Sequence, residues 1–400
     1  MTNNGPRRPR KVLIVGCGIA GPALALFLKR AGFAPVLFEA DEQADDYAGL
    51  FLNLARNGMY VLQELGLDEE VRREGYAMHT MKMVSGKGKL LGVIGASGGE
   101  PQGYTVKRGA LHQILREEAR RQGIPLEYGK KLKAVEVNTA ERVEISFENG
   151  GTASGDLLIG CDGIHSRVRR IVFPGAPEPA YTGLISFGGF LPDSRLPYDQ
   201  GTQTMVFGKR AFFGYLTRQD GEVYWFGNLD YRGSPTRQDL QRIPQAEWHR
   251  TIRELYADDI APLSGIVHGM EGEIGVYPIY DLPSLPEWHK KSVGLIGDAL
   301  HATSPNAGQG ASLALEDAIV LAKCLRDLPD QEQAFALFQQ QRRDRVEQIV
   351  RYSRSIGRRK HATNPVQVFF RDLMMPLFLR RADKDAHRWM YEYRIDWEES

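Results

Sequence analysis

Residues 11–40 read KVLIVGCGIAGPALALFLKRAGFAPVLFEA. Lys11 to Val15 is a short, β-branched apolar run, the pattern of a strand buried in a parallel sheet. Gly16, Gly18 and Gly21 follow at once. The first suits a tight turn, the second lets backbone approach a pyrophosphate, and the third lets a helix pack close on the strand. Pro22 fits the first turn of that helix, where its missing N–H costs nothing. Ala23 to Ala31 favours helix, and Gly32 stops it. Val36 to Phe38 restores a strand, and Glu39 stands at its end. A carboxylate there can accept hydrogen bonds from ribose hydroxyls while the helix N-terminus holds a diphosphate. It would repel a 2′-phosphate, so the stretch predicts a site for the ADP half of FAD or NAD.

Two later glycine-centred signals extend this reading. Cys161-Asp162-Gly163 lies near the middle of the chain. Ser292 to Ile296 reads as another buried strand, followed by Gly297-Asp298-Ala299 and then Pro305-Asn306-Ala307-Gly308-Gln309-Gly310. The Asp298 carboxylate suits a polyol hydroxyl such as that of a ribityl chain. Gly308 and Gly310 precede a helix expected over Ala311 to Leu325, leaving backbone N–H groups to face an anion or an electron-rich ring edge. A ribityl-bearing cofactor selects FAD over NAD for this site.

These motifs resemble those of the class A flavoprotein monooxygenases, the family of para-hydroxybenzoate and salicylate hydroxylases. The resemblance rests on Val12 to Gly21, on Leu158 to Arg169, and on Leu295 to His301 with Pro305 and Gly308 to Gly310. Val106 to Leu111 and Tyr277 to Leu282 with Trp288 add to it. It implies bound FAD, NADPH or NADH as a transient co-substrate, molecular oxygen, and hydroxylation or other oxygenation of an aromatic or polyketide-like small molecule. It also implies that Arg108 contacts the ribityl–diphosphate part of the flavin and that Arg167 lies near the nicotinamide nucleotide. Gly16, Gly18, Gly21, Glu39, Arg108, Asp162, Gly163, Asp298, Pro305, Gly308, Gln309 and Gly310 are the expected cofactor residues. A FAD-dependent reductase or dehydrogenase without oxygen insertion is the alternative enzyme, and a flavin-binding protein without catalysis is the alternative outside enzymes.

Such chemistry centres on the flavin, and the sequence offers no hydrolytic triad, no HExxH and no CxxC pair. No metal site is expected. His301 is the one candidate protein base; the competing role is a structural contact to the backbone. Cys17 and Cys161 read as small buried residues, because no His or Asp partner pattern surrounds them.

The fold class expected is α/β: a Rossmann-like FAD-binding domain with an inserted antiparallel β-sheet substrate domain and a C-terminal helical segment. Strands and helices alternate over 1–177, and Glu127-Tyr128, Ala134 to Val137 and Val143 to Phe147 suggest a small meander. After Phe173-Pro174 come aromatic-rich strands over Thr202–Phe207, Ala211–Thr217 and Val223–Leu229, with Asp220-Gly221 as a hairpin turn. The substrate domain is expected over 178–285, the return to the cofactor domain over 286–330 and helices over 331–400. Substrate contacts are expected from Phe187, Arg210, Phe213, Tyr215, Trp225, Phe226 and Pro305, although period-2 alternation lets only about half of a strand's residues face a ligand. Arg210 could clamp a carboxylate or enolate. The tetracycline-inactivating branch of the family carries a polar Gln–Arg–His set on this sheet. This chain keeps the arginine (Arg210) but has Gly188 and Trp225 at the other places, which argues against a tetracycline and leaves another fused-ring or aromatic acid substrate open.

The 400 residues exceed one ordinary core, and a net charge of +1 gives no global pull toward nucleic acid or an anionic membrane. Three cysteines argue against a disulfide scaffold and for a reducing, cytoplasmic setting. Arg7, Arg8 and Arg10 make a basic N-terminal tail. No stretch reaches a membrane span. In the tail, the arginine-rich Gln341 to Lys360 reads as a solvated helix face, and Val366 to Leu379 as a helix packed along both domains rather than against a membrane or partner. A monomer or homodimer is expected.

Overall fold

The computed structural model describes residues 9–44, 49–95, 100–192, 194, 196–360, 365–381 and 388–399. The expected basic tail lies, apart from Arg10, outside these residues. The first βαβ unit forms as the pattern predicts: strand Lys11–Val15, helix Ala20–Arg30 and strand Ala34–Phe38. Lys11–Val15 pairs in parallel with Ala34–Phe38 on one side and with Leu157–Gly160 on the other. Leu157–Gly160 pairs in turn with Val293–Leu295, so the strands ending in Gly16, Cys161 and Ile296 lie side by side. Their apolar side chains are essentially fully buried, as parallel strands covered on both faces require.

Leu126–Glu127 completes the far edge of this six-stranded sheet, pairing in parallel with Leu37 and Phe38. It therefore belongs to the nucleotide sheet and not to the expected meander, which is built from Leu132–Asn138, Val143–Phe147 and Thr152–Gly155.

The second large sheet has seven strands in the order Gly275–Asp281, Ala180–Leu191, Val223–Asp230, Phe212–Thr217, Thr202–Phe207, Thr80–Ser85 and Leu90–Gly95. Its pairing is antiparallel except where Thr202–Phe207 runs parallel to Thr80–Ser85. The five strands from 178–285 pair antiparallel throughout, as expected; a hairpin from the first 177 residues adds two further strands to the sheet through the one parallel pairing. The segment 178–285 also contains helices Arg237–Gln241, Gln245–Tyr256 and Ala261–Gly269. Trp248, Ile252, Tyr256, Leu263 and Ile266 of the last two cover one face of the sheet.

Helix Gly310–Asp327 packs against Ala20–Arg30 and carries the 30-residue helix Gln331–Lys360 on its other side. Arg342 and Arg345 turn inward here. Arg342 is fully buried, which corrects the expectation of a solvated arginine face. Helix Pro365–Arg381 lies against Leu90–Gly95, with Met375 on the Met83–Leu91–Met205–Phe212 cluster and Arg371 over the Phe207 ring. Val366, Phe369, Phe370, Leu373 and Met374 on its outer side stay exposed. Among the described residues no helix is long and apolar enough to cross a membrane.

Candidate functional site

A cavity of about 660 Å³ opens between the two sheets. Gly16, Gly18 and Glu39 line it from the first motif, Cys161, Asp162, Gly163 and Arg167 from the second, and Asp298, Pro305, Gly308, Gln309 and Gly310 from the third. Arg108 also lines it, at the start of helix Arg108–Arg121. Parallel pairing explains the convergence, because adjacent strands that run the same way end their turns at the same sheet edge.

The glycines divide by what surrounds them. A Cβ on Gly21 would lie 2.0 Å from the Gly16 carbonyl oxygen, and one on Gly16, at φ +105°, would lie 2.4 Å from the Cys161 carbonyl oxygen. These two serve chain packing, and Gly21 itself does not line the cavity. A Cβ on Gly18 would meet nothing within 4 Å among the described residues, so this position faces open space at the helix N-terminus. Glu39 accepts from Cys17 N at 2.8 Å and from Ala40 N at 2.7 Å, which fixes its carboxylate at the strand end. The Lys130 amide donates to the Glu39 carbonyl at 2.7 Å, bringing a basic turn beside it.

Asp162 is held differently from the simple expectation of a cofactor ligand. Its carboxylate accepts from Ser166 Oγ (2.5 Å), Arg167 N (2.6 Å) and Val168 N (3.1 Å), capping the short helix Arg167–Val172. Burial pushes its pKa above the usual value, while these donors pull the other way. Arg167 is ion-paired to Glu148 at 2.5 Å. Arg169, buried, donates to Ala299 O (2.8 Å) and Ile164 O (2.6 Å), tying the second turn to the third.

The third turn hangs on a buried carboxylate. Asp317 accepts from Gly297 N at 3.0 Å and meets His301 Nε2 at 2.5 Å. His301 is buried against this carboxylate and does not line the cavity. Arg342 donates to Asp317 at 2.9 Å, and Arg345 to Glu316 at 2.7 and 2.9 Å. Asn57 bridges Glu316 (2.7 Å) to Gln309 (2.9 Å). Gln309 Nε2 is buried in the cavity wall without a partner among the described residues. The adjacent Glu316-Asp317 pair inside an apolar helix was the only sequence signal of this network.

Of the substrate candidates, Phe226 and Pro305 line the cavity. Phe187, Phe213 and Trp225 do not: they point to the other face, into the core against Trp248, Ile252 and Tyr256. Phe213 stacks on Trp225 at 5.8 Å and 3°, and Tyr215 packs on the same side. Arg210 is half exposed and paired to Asp258 at 2.6 Å. The reason is the pleat: Phe226 sits opposite Gly188 and Gly214, so its neighbours along the strand face away. The residues that face the cavity from this sheet are Ser186, Gln203, Phe226, Asn228 and Tyr277.

These features fit FAD. The open Gly18 cradle, the helix N-terminus behind it and the unpartnered Gln309 amide are what a long, polar dinucleotide needs. A model of the FAD binding domain matches residues 10–353. FAD-dependent urate hydroxylase of Mycolicibacterium vanbaalenii is 30% identical over 372 residues, covering 89% of this chain and 90% of that protein. 6-Hydroxynicotinate 3-monooxygenase of Bordetella bronchiseptica is 27% identical over 86% of this chain and 91% of that one. In fold, the chain is similar to Klebsiella pneumoniae HpxO complexed with FAD and uric acid, with a TM-score of 0.81 at 23% identity over 92% of this chain and 93% of that one. The reductase alternative finds no support in these relatives. The chain belongs to the FAD-binding-domain family and is a FAD-dependent monooxygenase of the class A flavoprotein type.

Proposed function

We propose that the enzyme hydroxylates an aromatic or fused-ring small molecule held between the third motif and the Ser186–Gln203–Phe226–Asn228–Tyr277 face. One observation carries this reading: turns from all three motifs line a single cavity whose opposite wall is that face. Relatives named for urate and 6-hydroxynicotinate support a planar, oxygen- or nitrogen-bearing ring as substrate.

In this reading Gly18 and the helix Ala20–Arg30 hold the diphosphate, Glu39 the adenosine ribose, and Asp298 the ribityl chain. Gly308, Gln309 and Gly310 present amides to the flavin ring edge. FAD held by these residues would supply acceptance of a hydride from NAD(P)H and transfer of one oxygen atom of O2 to the substrate. The balance is substrate–H + O2 + NAD(P)H + H⁺ giving substrate–OH + NAD(P)⁺ + H2O. The chain's own part is to orient the ring and exclude water. Phe226 lies over Gly214, where a Cβ would come within 2.2 Å of its ring, and meets Phe51 edge-on at 5.8 Å. These rings form an apolar wall for an aromatic substrate.

The test is flavin uptake by the purified protein, followed by a screen of phenolic, indole and polyketide compounds for faster NAD(P)H consumption and a mass gain of one oxygen. Flavin-loaded enzyme that no such compound stimulates would sink the assignment.

A further inference from the structure

The cavity's sheet wall carries a relay of amides that ends in an unused donor. Thr105 Oγ1 donates to Asn53 Oδ1 at 2.7 Å, and Asn53 Nδ2 donates to Gln203 Oε1 at 3.2 Å. With its oxygen committed to Asn53, Gln203 is left with its NH2 group as the donor not yet used. Gln203 is 1% exposed, it lines the cavity, and its Nε2 has no partner among the described residues. A buried donor left unmade costs about 1–3 kcal/mol, so natural sites rarely keep one without a use.

Charge narrows what that use is. Among the described residues, the sheet contributes Ser186, Gln203, Phe226, Asn228 and Tyr277 to the cavity, none of them charged. The cavity's cations sit elsewhere and are engaged: Arg167 and Lys131 with Glu148, and Lys130 with Glu127. Arg108 stands at the start of its helix, with its Nε beside His112. Arg210, the one arginine expected to clamp a substrate carboxylate, is turned to the surface and paired to Asp258. A substrate carboxylate buried against this wall would be left without a counter-charge, which is far more costly than burying a neutral acceptor.

We infer that Gln203 is a substrate-binding residue that donates its Nε2–H to a neutral acceptor, a ring carbonyl or pyridine-type nitrogen, and that the site selects uncharged lactam-like or carbonyl-bearing rings over their carboxylate counterparts. This rests on the function proposed above. Asn53 and Thr105 act as positioning residues: they fix which end of the Gln203 amide faces the cavity.

The experiment uses FAD-loaded enzyme and two matched pairs: 2-pyridone against 6-hydroxynicotinate, and salicylamide against salicylate. Dissociation constants are read from the perturbation of flavin absorbance, which needs no turnover. The expected result is at least ten-fold tighter binding of the neutral member of each pair. Gln203→Leu is expected to weaken the neutral members about ten-fold, to leave the carboxylates nearly unchanged, and to leave FAD affinity as it was. Gln203→Met and Asn53→Ala provide the same reading should Gln203→Leu fold poorly, with Asn53→Ala giving a smaller loss. Carboxylates that bind as tightly as their neutral partners, no binding of either member, or a Gln203 variant with unaltered affinity for the neutral rings would overturn the inference. Failure of the underlying reading has a different signature, namely wild-type protein that takes up no flavin.

Discussion

Arg342 Nη1 stands 2.6 Å from Glu316 Oε2, and neither side chain is exposed. The contact is an ion pair rather than an aligned hydrogen bond, since among the described residues the same nitrogen finds no acceptor in good geometry. Its Nε is aligned, donating to Asp317 at 2.9 Å. One guanidinium thus bridges two adjacent buried carboxylates, Arg345 supplies Glu316 with a second positive charge, and Asp317 in turn holds the Gly297 amide of the third turn. The long C-terminal helix reaches the cofactor site through this link. Arg342→Met should leave two buried carboxylates with Arg345 and His301 alone, costing about 3–5 kcal/mol. Denaturant unfolding measures it, and a loss below about 1 kcal/mol would show that the charges are not buried as described.

Asp317 gives a pH signature. Burial pushes its carboxyl upward, but the neighbouring His301 and Arg342 and the Gly297 amide overcome it and hold the pKa at about 2. A carboxylate whose pKa falls on folding stabilises the protein above its unfolded value, near 4, and loses that contribution as pH drops through the folded value. Acidification from pH 4 to pH 2 should therefore remove roughly 2 kcal/mol from this group. Urea melts across that window should show a shallower pH slope in Asp317→Asn than in wild type.

The sheet faces make opposite predictions for two neighbours in sequence. Trp225→Ala opens the buried core and should cost about 3–5 kcal/mol of stability. Phe226→Ala removes a cavity wall and should weaken the binding of an aromatic substrate roughly three- to ten-fold, the worth of one ring contact. Unfolding curves and substrate titrations on both variants would separate these roles, and a reversed pattern would place the cavity on the wrong face.

This contrast shows where the sequence stops being readable. Lys11–Val15, Leu157–Gly160 and Val293–Leu295 were legible because buried parallel strands are dense apolar runs closed by glycine. Strands such as Thr80–Ser85, with Lys82 exposed between half-buried Met81 and buried Met83, carry too mixed a pattern to announce their sheet. Alternation in Val223–Asp230 gives two faces, but only the helices Gln245–Tyr256 and Ala261–Gly269 decide which is core, and nothing local in the strand specifies where they dock. Arg342 failed for a related reason: its carboxylate partners are on a different helix, 25 residues earlier for Asp317, and an arginine-rich helix read alone looks solvated.

All three cysteines should be inert in the native state. Burial, with Glu39 adding to it, lifts the Cys17 thiol to about 12; burial and Asp327 lift Cys324 to about 12. Burial and Asp162 hold Cys161 well above its usual value. At pH 8 a thiol of this kind is ionised roughly one part in 10,000. Aromatic disulfide reagents should report no fast-reacting thiol in the folded enzyme and three after denaturation.

The first glycine motif separates folding from cofactor binding. A Cβ on Gly21 would sit 2.0 Å from a backbone oxygen that cannot move without disrupting the turn, so Gly21→Ala should fail to fold or lose several kcal/mol. Gly18 has a negative φ and open space where its Cβ would lie, so Gly18→Val should fold with stability close to that of flavin-free wild type. Its branched side chain would project into the space proposed for the diphosphate, and FAD affinity should fall at least a hundred-fold. Calorimetry with flavin titration tests both halves. A Gly18→Val protein that binds FAD normally would show that the dinucleotide does not cross this helix N-terminus, and the assignment of Glu39 and Asp298 to the two ends of one cofactor would fall with it.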